Sequence, residues 1–453
     1  MMNFRTYSNM TECIIPDKVQ LSNNNFSNAF NGMEKLVYID TPNKQIINIC
    51  CSFCYCRNLT TAVCGDNVVD MNSAYQGCNN LTTAVCGNNV TNMYYAYWYC
   101  TNLTTAACGN NVTNMFSAYH NCTNLTTAVC GENVANMSCA YWNCTNLTTA
   151  VCGDNVTDMG LAYSNCYNLT TAACGNNVIN MSHAYNRCTN LTTAVCGNNV
   201  INMAHTYYNC QNLKTAACGD KVTNMAYAYY NCQNLTTAVC GDNIIDMRYT
   251  YAGCTNLTTA VCGNKVTNME SAYWNCTNLT TAVCGSNVTS MANTYRSCTN
   301  IQGDTYFYSN NISNAQGCFM TRNVLNMLNI YVHNNSMTLN TLKYTQSTSL
   351  VNASITWTDD MVTNNCYYNT QYNLYIYPVS NVRTTYIENE FDYNIAFTNN
   401  ISNYVEVVDE KVSVKTQYKF TPTETTIDSG SCFTIPINFN NLDGVTIESM
   451  EVR

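Results

Sequence analysis

A cysteine returns every 22 residues, without one insertion, at Cys56, Cys78, Cys100, Cys122, Cys144, Cys166, Cys188, Cys210, Cys232, Cys254, Cys276 and Cys298. Eleven in-phase units separate the first of these from the last. One unit reads NLTTAVCGNNVTNMYYAYWYCT, Asn80 to Thr101. A short fixed period with fixed apolar columns describes a coil that cannot bury its own apolar side chains, so successive coils must cover one another. The expected fold is therefore a repeat solenoid of stacked 22-residue coils with short parallel strands.

The columns assign parts of the coil. Leu-Thr-Thr-Ala-Val/Ala-Cys is long enough for a short strand, with Leu, Ala and Cys alternating against Thr as a half-buried strand requires. The Gly that follows, Gly65 to Gly285, suits a tight turn. Met-x-x-Ala-Tyr-x-x-Cys has apolar spacings of three and four, which predicts a helical or 3₁₀ turn. At a strand spacing of ~4.8 Å, eleven coils span roughly 50 Å, and like residues form files. The Asn before each Leu, Asn58 and Asn80 onward to Asn278, is placed to hydrogen-bond along such a file.

The pattern decays at both ends. Leu36, Ile39, Pro42, Ile46, Ile49, Phe53 and Cys56 fit a coil with one inserted residue, and Phe26, Ala29, Phe30 and Met33 fit half of an earlier one. Ile301 to Cys318 fits a last, irregular coil. Solenoids need such atypical terminal units to close their open ends.

Leu81, Ala84, Cys86, Gly87, Val90, Met93, Ala96, Tyr97 and Cys100 occupy the positions of the pattern L-x-x-I-x-I-P-x-x-V-x-x-I-x-x-x-A-F-x-x-C. The unit thus resembles the BspA-like leucine-rich repeat, and the Leu36 coil, with Ile39 and Pro42, is closer still. The departures are Ala, Cys and Gly where that pattern has Ile, Ile and Pro, and Tyr for Phe, giving a thinner core. The resemblance covers about two-thirds of the chain. It implies surface adhesion or recognition, in bacteria, protists and large or tailed viruses.

Only 10% of residues are charged, the net charge is -9, and no basic run appears, so a nucleic acid is not an expected partner. No run of 18 apolar residues predicts a membrane-inserted helix. The segment Met1 to Val19 lacks an apolar signal core, so folding in a reducing cytoplasm is expected, with a final place on a virion or cell surface. Of the 31 cysteines nearly all belong to the repeat, and they read as small buried hydrophobes rather than disulfides. The cluster Cys50, Cys51, Cys54, Cys56 offers a single knuckle, where a zinc site would pair two. No metal and no cofactor is expected. Nor is an enzyme: no nucleophile–base set, phosphate loop or HExxH is present.

Against this regularity, four positions per unit vary: the two after Met and the two before the terminal Cys. They carry Tyr94, Tyr95, Trp98, Tyr99, Phe116, His120, Trp142, His183, His205, Tyr208, Tyr227, Tyr230, Tyr249 and Trp274. If the coils are in register, Trp98, His120 and Trp142 form one file, and His183, His205, Tyr227 and Tyr249 another. Varied aromatics on an invariant scaffold suit recognition of a cell-surface glycan or protein, since Tyr and Trp are favoured anchors. The bland reading weighs about equally: the rings cover neighbouring coils, or face other copies of the chain or virion proteins. A phage fibre, decoration or receptor-binding protein, a self-assembling structural protein, and an exported adhesin all fit. The organisation read from sequence is an N-terminal cap over residues 1–33, a solenoid over 34–320, and a mainly-β, sandwich-like domain over 321–453. The last rests on short alternating runs: Ser354–Thr358, Leu374–Val379, Thr384–Ile387, Tyr393–Phe397, Tyr404–Val408, Lys411–Phe420, Phe433–Phe439 and Val445–Val452.

Overall fold

The computed structural model describes residues 4–15, 20, 24–40, 45–320, 326–333 and 337, with the strand segments 357–362, 366–369, 374–379, 405–408 and 411–414. The chain forms two compact units, Met1–Val382 and Arg383–Arg453.

In the first unit the repeats stack as parallel coils. A continuous file of single-residue bridges runs Asn25, Asn48, Asp70, Asn92 and onward to Ser290 and Asn314. Several Asn side chains of this file do two jobs. Asn92 Oδ1 accepts the Tyr94 N–H two residues on, and its Nδ2 donates to Asp70 Oδ1 one coil back. A second, broken file joins threonines, as in Thr127, Thr149 and Thr171. The Asn column before each Leu is also linked, for example Asn80 Nδ2 to Asn58 Oδ1 at 3.3 Å.

Among the regular coils the predicted strand over Leu–Cys forms only at the start. There β1 (Glu12–Ile14), β2 (Tyr38–Asp40) and β3 (Thr61–Val63) make a parallel sheet with Cys13, Ile39 and Ala62 in register. Farther along, Thr82 and Thr83 are both exposed while Ala84, Val85 and Cys86 are all half-buried, so alternation is lost. The cause is a side chain. The buried Tyr97 hydroxyl accepts the Val85 N–H at 2.9 Å and donates to the Val85 carbonyl. The same pair recurs in coil after coil, as with Tyr185 and Ala173 or Tyr251 and Val239. A residue whose backbone is turned inward to a phenol cannot serve a ladder along the stack. The tyrosine rings themselves stack, with centroids 5.2 Å apart for Tyr75 and Tyr97 and 5.5 Å for Tyr251 and Tyr273. The file continues into Phe53, Phe30 and Phe4 at one end and Phe319 at the other.

The Met-x-x-Ala-Tyr-x-x-Cys segment is not a helical or 3₁₀ turn. Two residues per coil adopt the left-handed region, Tyr95 (φ 55) and Tyr99 (φ 65) in the coil quoted above. Turns still close locally, Ala96 N–H to the Met93 carbonyl and Cys100 N–H to the Tyr97 carbonyl. The alternate N–H groups of Met93, Tyr95, Tyr97 and Tyr99 reach carbonyls of Asn114, Phe116, Ala118 and His120 in the next coil. A helix would keep those bonds to itself; the left-handed residues turn them along the stack.

The repeat glycine also works differently from expectation. Gly87, Gly109 and their equivalents do not have positive φ. A Cβ on Gly175 would lie 2.5 Å from the Gly153 carbonyl oxygen, so what demands glycine is the approach of one coil to the next.

Both cysteine files are free thiols. In the fully buried file the Sγ atoms donate to the carbonyl of the stacked aromatic one coil back, as Cys122 to Tyr97 at 3.1 Å and Cys78 to Phe53 at 3.0 Å. Burial pushes these thiols far above their ordinary value. In the half-buried file, Cys130 Sγ lies 3.6 Å from Met137 Sδ, and burial raises Cys152 and Cys196 to about 12.

Beyond the last regular coil, β4 (Gln302–Tyr306) continues the stack, with Phe307 bridged to Cys284. It opens a five-stranded sheet, order β4-β5-β8-β7-β6, from β5 (Asn326–His333), β6 (Trp357–Val362), β7 (Cys366–Asn369) and β8 (Leu374–Val379). The pairs β4–β5 and β5–β8 are parallel, and β8–β7 and β7–β6 antiparallel. In the second unit β9 (Val405–Val408) pairs antiparallel with β10 (Lys411–Val414). The expected strands Thr384–Ile387, Tyr393–Phe397, Phe433–Phe439 and Val445–Val452 lie outside the described residues.

Two outcomes follow from the core. Tyr185→Phe removes the partner of both polar groups of Ala173 and should cost ~1–3 kcal/mol in denaturant unfolding, with faster hydrogen exchange at the Ala173 amide. Unchanged stability and exchange would contradict the clamp. The buried cysteine file should resist Ellman's reagent in the native protein and react on unfolding in guanidinium.

Candidate functional site

The four variable positions lie where the left-handed turns carry the chain past the tyrosine file. The left-handed residue nearer the cysteine is mostly Asn or Gly, such as Asn121, Asn143, Gly253 and Asn275, which tolerate that conformation. The other is Ser, Cys or Asn in some coils, such as Ser73, Ser117, Cys139, Ser271 and Asn293, and in others His183, His205 or the bulkier Tyr95, Leu161, Tyr227 and Tyr249, for which the conformation costs of order 1–3 kcal/mol each. The bonds to the next coil hold them in place.

The structure groups the sequence-selected residues into two clusters. In the first, Tyr94 stacks on Phe116 at 5.1 Å, and Tyr95 meets Tyr94, Trp98 and Phe116 edge-on. Trp98 touches Tyr99 and His120, and His120 lies 4.5 Å from Trp142. In the second, His183, His205, Tyr227 and Tyr249 stack in one file at 4.4, 4.6 and 4.6 Å. Tyr208 stacks on Tyr230 alongside at 4.8 Å, and Trp274 meets Tyr249 edge-on. Tyr99 and Trp274 are the exposed members; mutual stacking leaves the others half-buried.

Between the clusters the aromatic column stops for two coils, at Ser164 and Asn186. A depression of about 500 Å³ opens there, lined by Trp142, Leu161, Ser164, Asn165, His183, Asn186, Arg187, His205, Tyr208 and Tyr227. Leu161, Ser164, Asn165, Asn186 and Arg187 were not among the residues singled out from sequence. The available signal was the gap in the aromatic column, together with an arginine in a column of asparagines.

Polar atoms of this face lack partners. Trp98 Nε1, His120 Nδ1, Asn165 Oδ1 and His205 Nδ1 are buried without one among the described residues. Burial holds His120 at about 4, and burial with the neighbouring His183 holds His205 at about 4, so both rings are neutral near pH 7. Among the described residues no group of three or more His, Cys, Asp or Glu could hold a metal ion, and no helix is long and apolar enough to cross a membrane. The Cys50–Cys56 cluster is spoken for in part: Cys54 Sγ donates to the Ser73 carbonyl and Cys56 Sγ to that of Phe30.

The model of the BspA type leucine rich repeat region, in six copies, matches residues 2–126, 51–170, 116–236 and 181–302. The chain belongs to the BspA-type leucine-rich repeat family. No curated protein sequence matches it. A leucine-rich repeat protein of Bacteroides ovatus is similar in fold at 19% identity, over 65% of this chain and 78% of that one, with a TM-score of 0.54. A leucine rich cell surface protein of Faecalibacterium prausnitzii is 18% identical over 68% and 88%, with a TM-score of 0.37. The BspA-type coil here therefore keeps the repeat's leucine, valine, alanine and cysteine columns while exchanging its phenylalanine for the clamping tyrosine.

The histidines set a pH dependence. Their folded values lie below the ordinary 6.5, so the unfolded chain binds more protons between about pH 6.5 and 4. Stability should be level above pH 6.5 and fall as pH drops toward 4. Urea midpoints from pH 7.5 to 4.5 should show this, with a shallower slope in His120→Gln and His205→Gln. A slope the two substitutions leave unaltered would assign it to other groups.

Proposed function

We propose that this chain is a non-enzymatic recognition or adhesion protein whose aromatic solenoid face binds a cell-surface glycan or protein. The observation that carries this reading is the pair of stacked aromatic clusters presented by one face of an otherwise near-invariant coil. Rings are spent at backbone positions that disfavour them, and buried polar atoms there have no partner. Such costs concentrate where a protein meets something else. Membership of the BspA-type family supports a binding or adhesion role, and leucine-rich repeat proteins are generally binders rather than catalysts. A surface location, whether on a cell or as a virion fibre or decoration protein, would put the face to the same use.

The competing reading is that the face packs against another copy of the chain. Glycan-array and cell-binding assays with Trp98→Ala and Tyr208→Ala separate the two. Truncating a stacking aromatic anchor should weaken binding by about tenfold or more with the oligomeric state unchanged. Binding that survives both substitutions, with loss of a higher oligomer in light scattering, would assign the face to self-assembly.

A further inference from the structure

We propose that the depression between the two aromatic clusters is a subsite for a carboxylate-bearing sugar, held by Arg187 between the open faces of Trp142 and Tyr208. The inference rests on the recognition reading above and names the ligand class of that face.

The two end rings are half-used. Trp142 packs on His120 on one side and Tyr208 stacks on Tyr230 on one side. Both line the depression, where Tyr208 also lies tilted against His205 at 5.8 Å and Trp142 has no further ring contact among the described residues. They occupy the same column three coils apart, about 14 Å at the usual strand spacing. That length suits a mono- or disaccharide, whose apolar ring face can lie on either aromatic. An acidic peptide running along the face would need open ends, and here the ends are closed by rings. Short side chains at Ser164 and Asn186 leave the room.

Charge selects among sugars. Arg187 is the charged side chain among the lining residues, it is exposed, and it makes no ion pair among the described residues. A guanidinium matches a carboxylate in a two-pronged arrangement. The neighbouring His183 and His205 are biased to the neutral form by burial, so they add platform rather than charge.

A second observation points to a ligand. Elsewhere in this column asparagines bond down the stack, Asn143 Nδ2 to Asn121 Oδ1 and Asn231 Nδ2 to Asn209 Oδ1, each at 2.5 Å. Arg187 breaks that file one coil after Asn165, and Asn165 Oδ1 is left without a donor. The arginine thus puts a cation where the file puts an amide, and leaves a polar atom unpaired beside the depression.

The test uses the full chain and two matched pairs: sialyllactose against lactose, and digalacturonate against its carboxyl-reduced form. At least one carboxylated member should bind ten-fold or more tightly than its neutral partner. Arg187→Asn is the decisive variant, because it restores the asparagine file and so should fold at least as well. It should erase the preference, while Trp98→Ala, outside the depression, keeps it. Equal binding within both pairs, or a preference indifferent to Arg187→Asn, overturns the subsite and leaves the aromatic-face reading intact if Trp98→Ala still weakens binding. Failure of the chain to bind any of these sugars or any arrayed glycan overturns the sugar assignment, and the recognition reading falls with it only if cell binding is absent too. A polyglutamate peptide binding in their place, and lost in Arg187→Asn, would overturn the sugar in favour of an acidic protein segment.

Discussion

The phenol hydroxyl that spans each coil from Tyr97 to Tyr295 is the contact on which the rest of the structure depends. Where the family pattern has two isoleucines and a phenylalanine, this chain has Ala, Cys and Tyr. The smaller strand residues bring the opposite wall of the coil within reach, and the hydroxyl of Tyr97 then satisfies both polar groups of Val85. A phenylalanine in so thin a core would leave that N–H and carbonyl buried without partners. A larger strand residue would hold the wall too far away. The two exchanges make sense only together, and the coils from Tyr97 to Tyr295 repeat both.

Fixing the wall fixes the spacing. With the strand turned inward, cohesion between coils passes to other files: the Asx ladder, the S–H···O bonds from cysteine to the tyrosine carbonyls, and the outward N–H groups of the left-handed turns. These require close approach, which is why glycine recurs at Gly87, Gly109 and their equivalents although no positive φ asks for it. The cysteines belong to the same logic. A thiol that donates to a carbonyl 3.1 Å away must keep its proton, and a disulfide or thiolate could not replace it.

How much of this could be read beforehand depended on what kind of signal carried it. Leu81, Val90, Met93, Ala96, Tyr97 and Cys100 are fully buried, as their fixed columns implied, because periodicity reports which side chains need cover. The degenerate coils were legible for the same reason, and Leu36, Ile39, Ile46, Ile49 and Phe53 are buried too. Backbone direction was not legible. Spacings of three and four fit a helix and fit two successive left-handed turns equally well, and only bonds to the next coil decide between them. A residue such as Leu161 or Tyr227 gives no local hint that it will sit at positive φ. Glycine was ambiguous in the same way, since a turn and a close approach ask for the same missing Cβ. On the variable face, the aromatic files could be aligned by counting, but the depression is defined by rings that are absent. Ser164 and Asn186 are ordinary residues until the coils before and after them are known to hold Trp142 and Tyr208.

That asymmetry says where information resides in such a chain. Clamp, glycine, Asx and thiol files tolerate little change, because one altered coil misfits two neighbours. Variation is therefore confined to side chains that leave the stack, and it is arranged along the axis rather than within a unit. A difference between adjacent coils, such as Arg187 after Asn165, then has a double effect: it changes the surface and breaks a file. In a protein that satisfies most of its polar groups by repetition, a broken file is where a single substitution leaves a neighbouring coil's group unpaired, as Arg187 leaves Asn165 Oδ1.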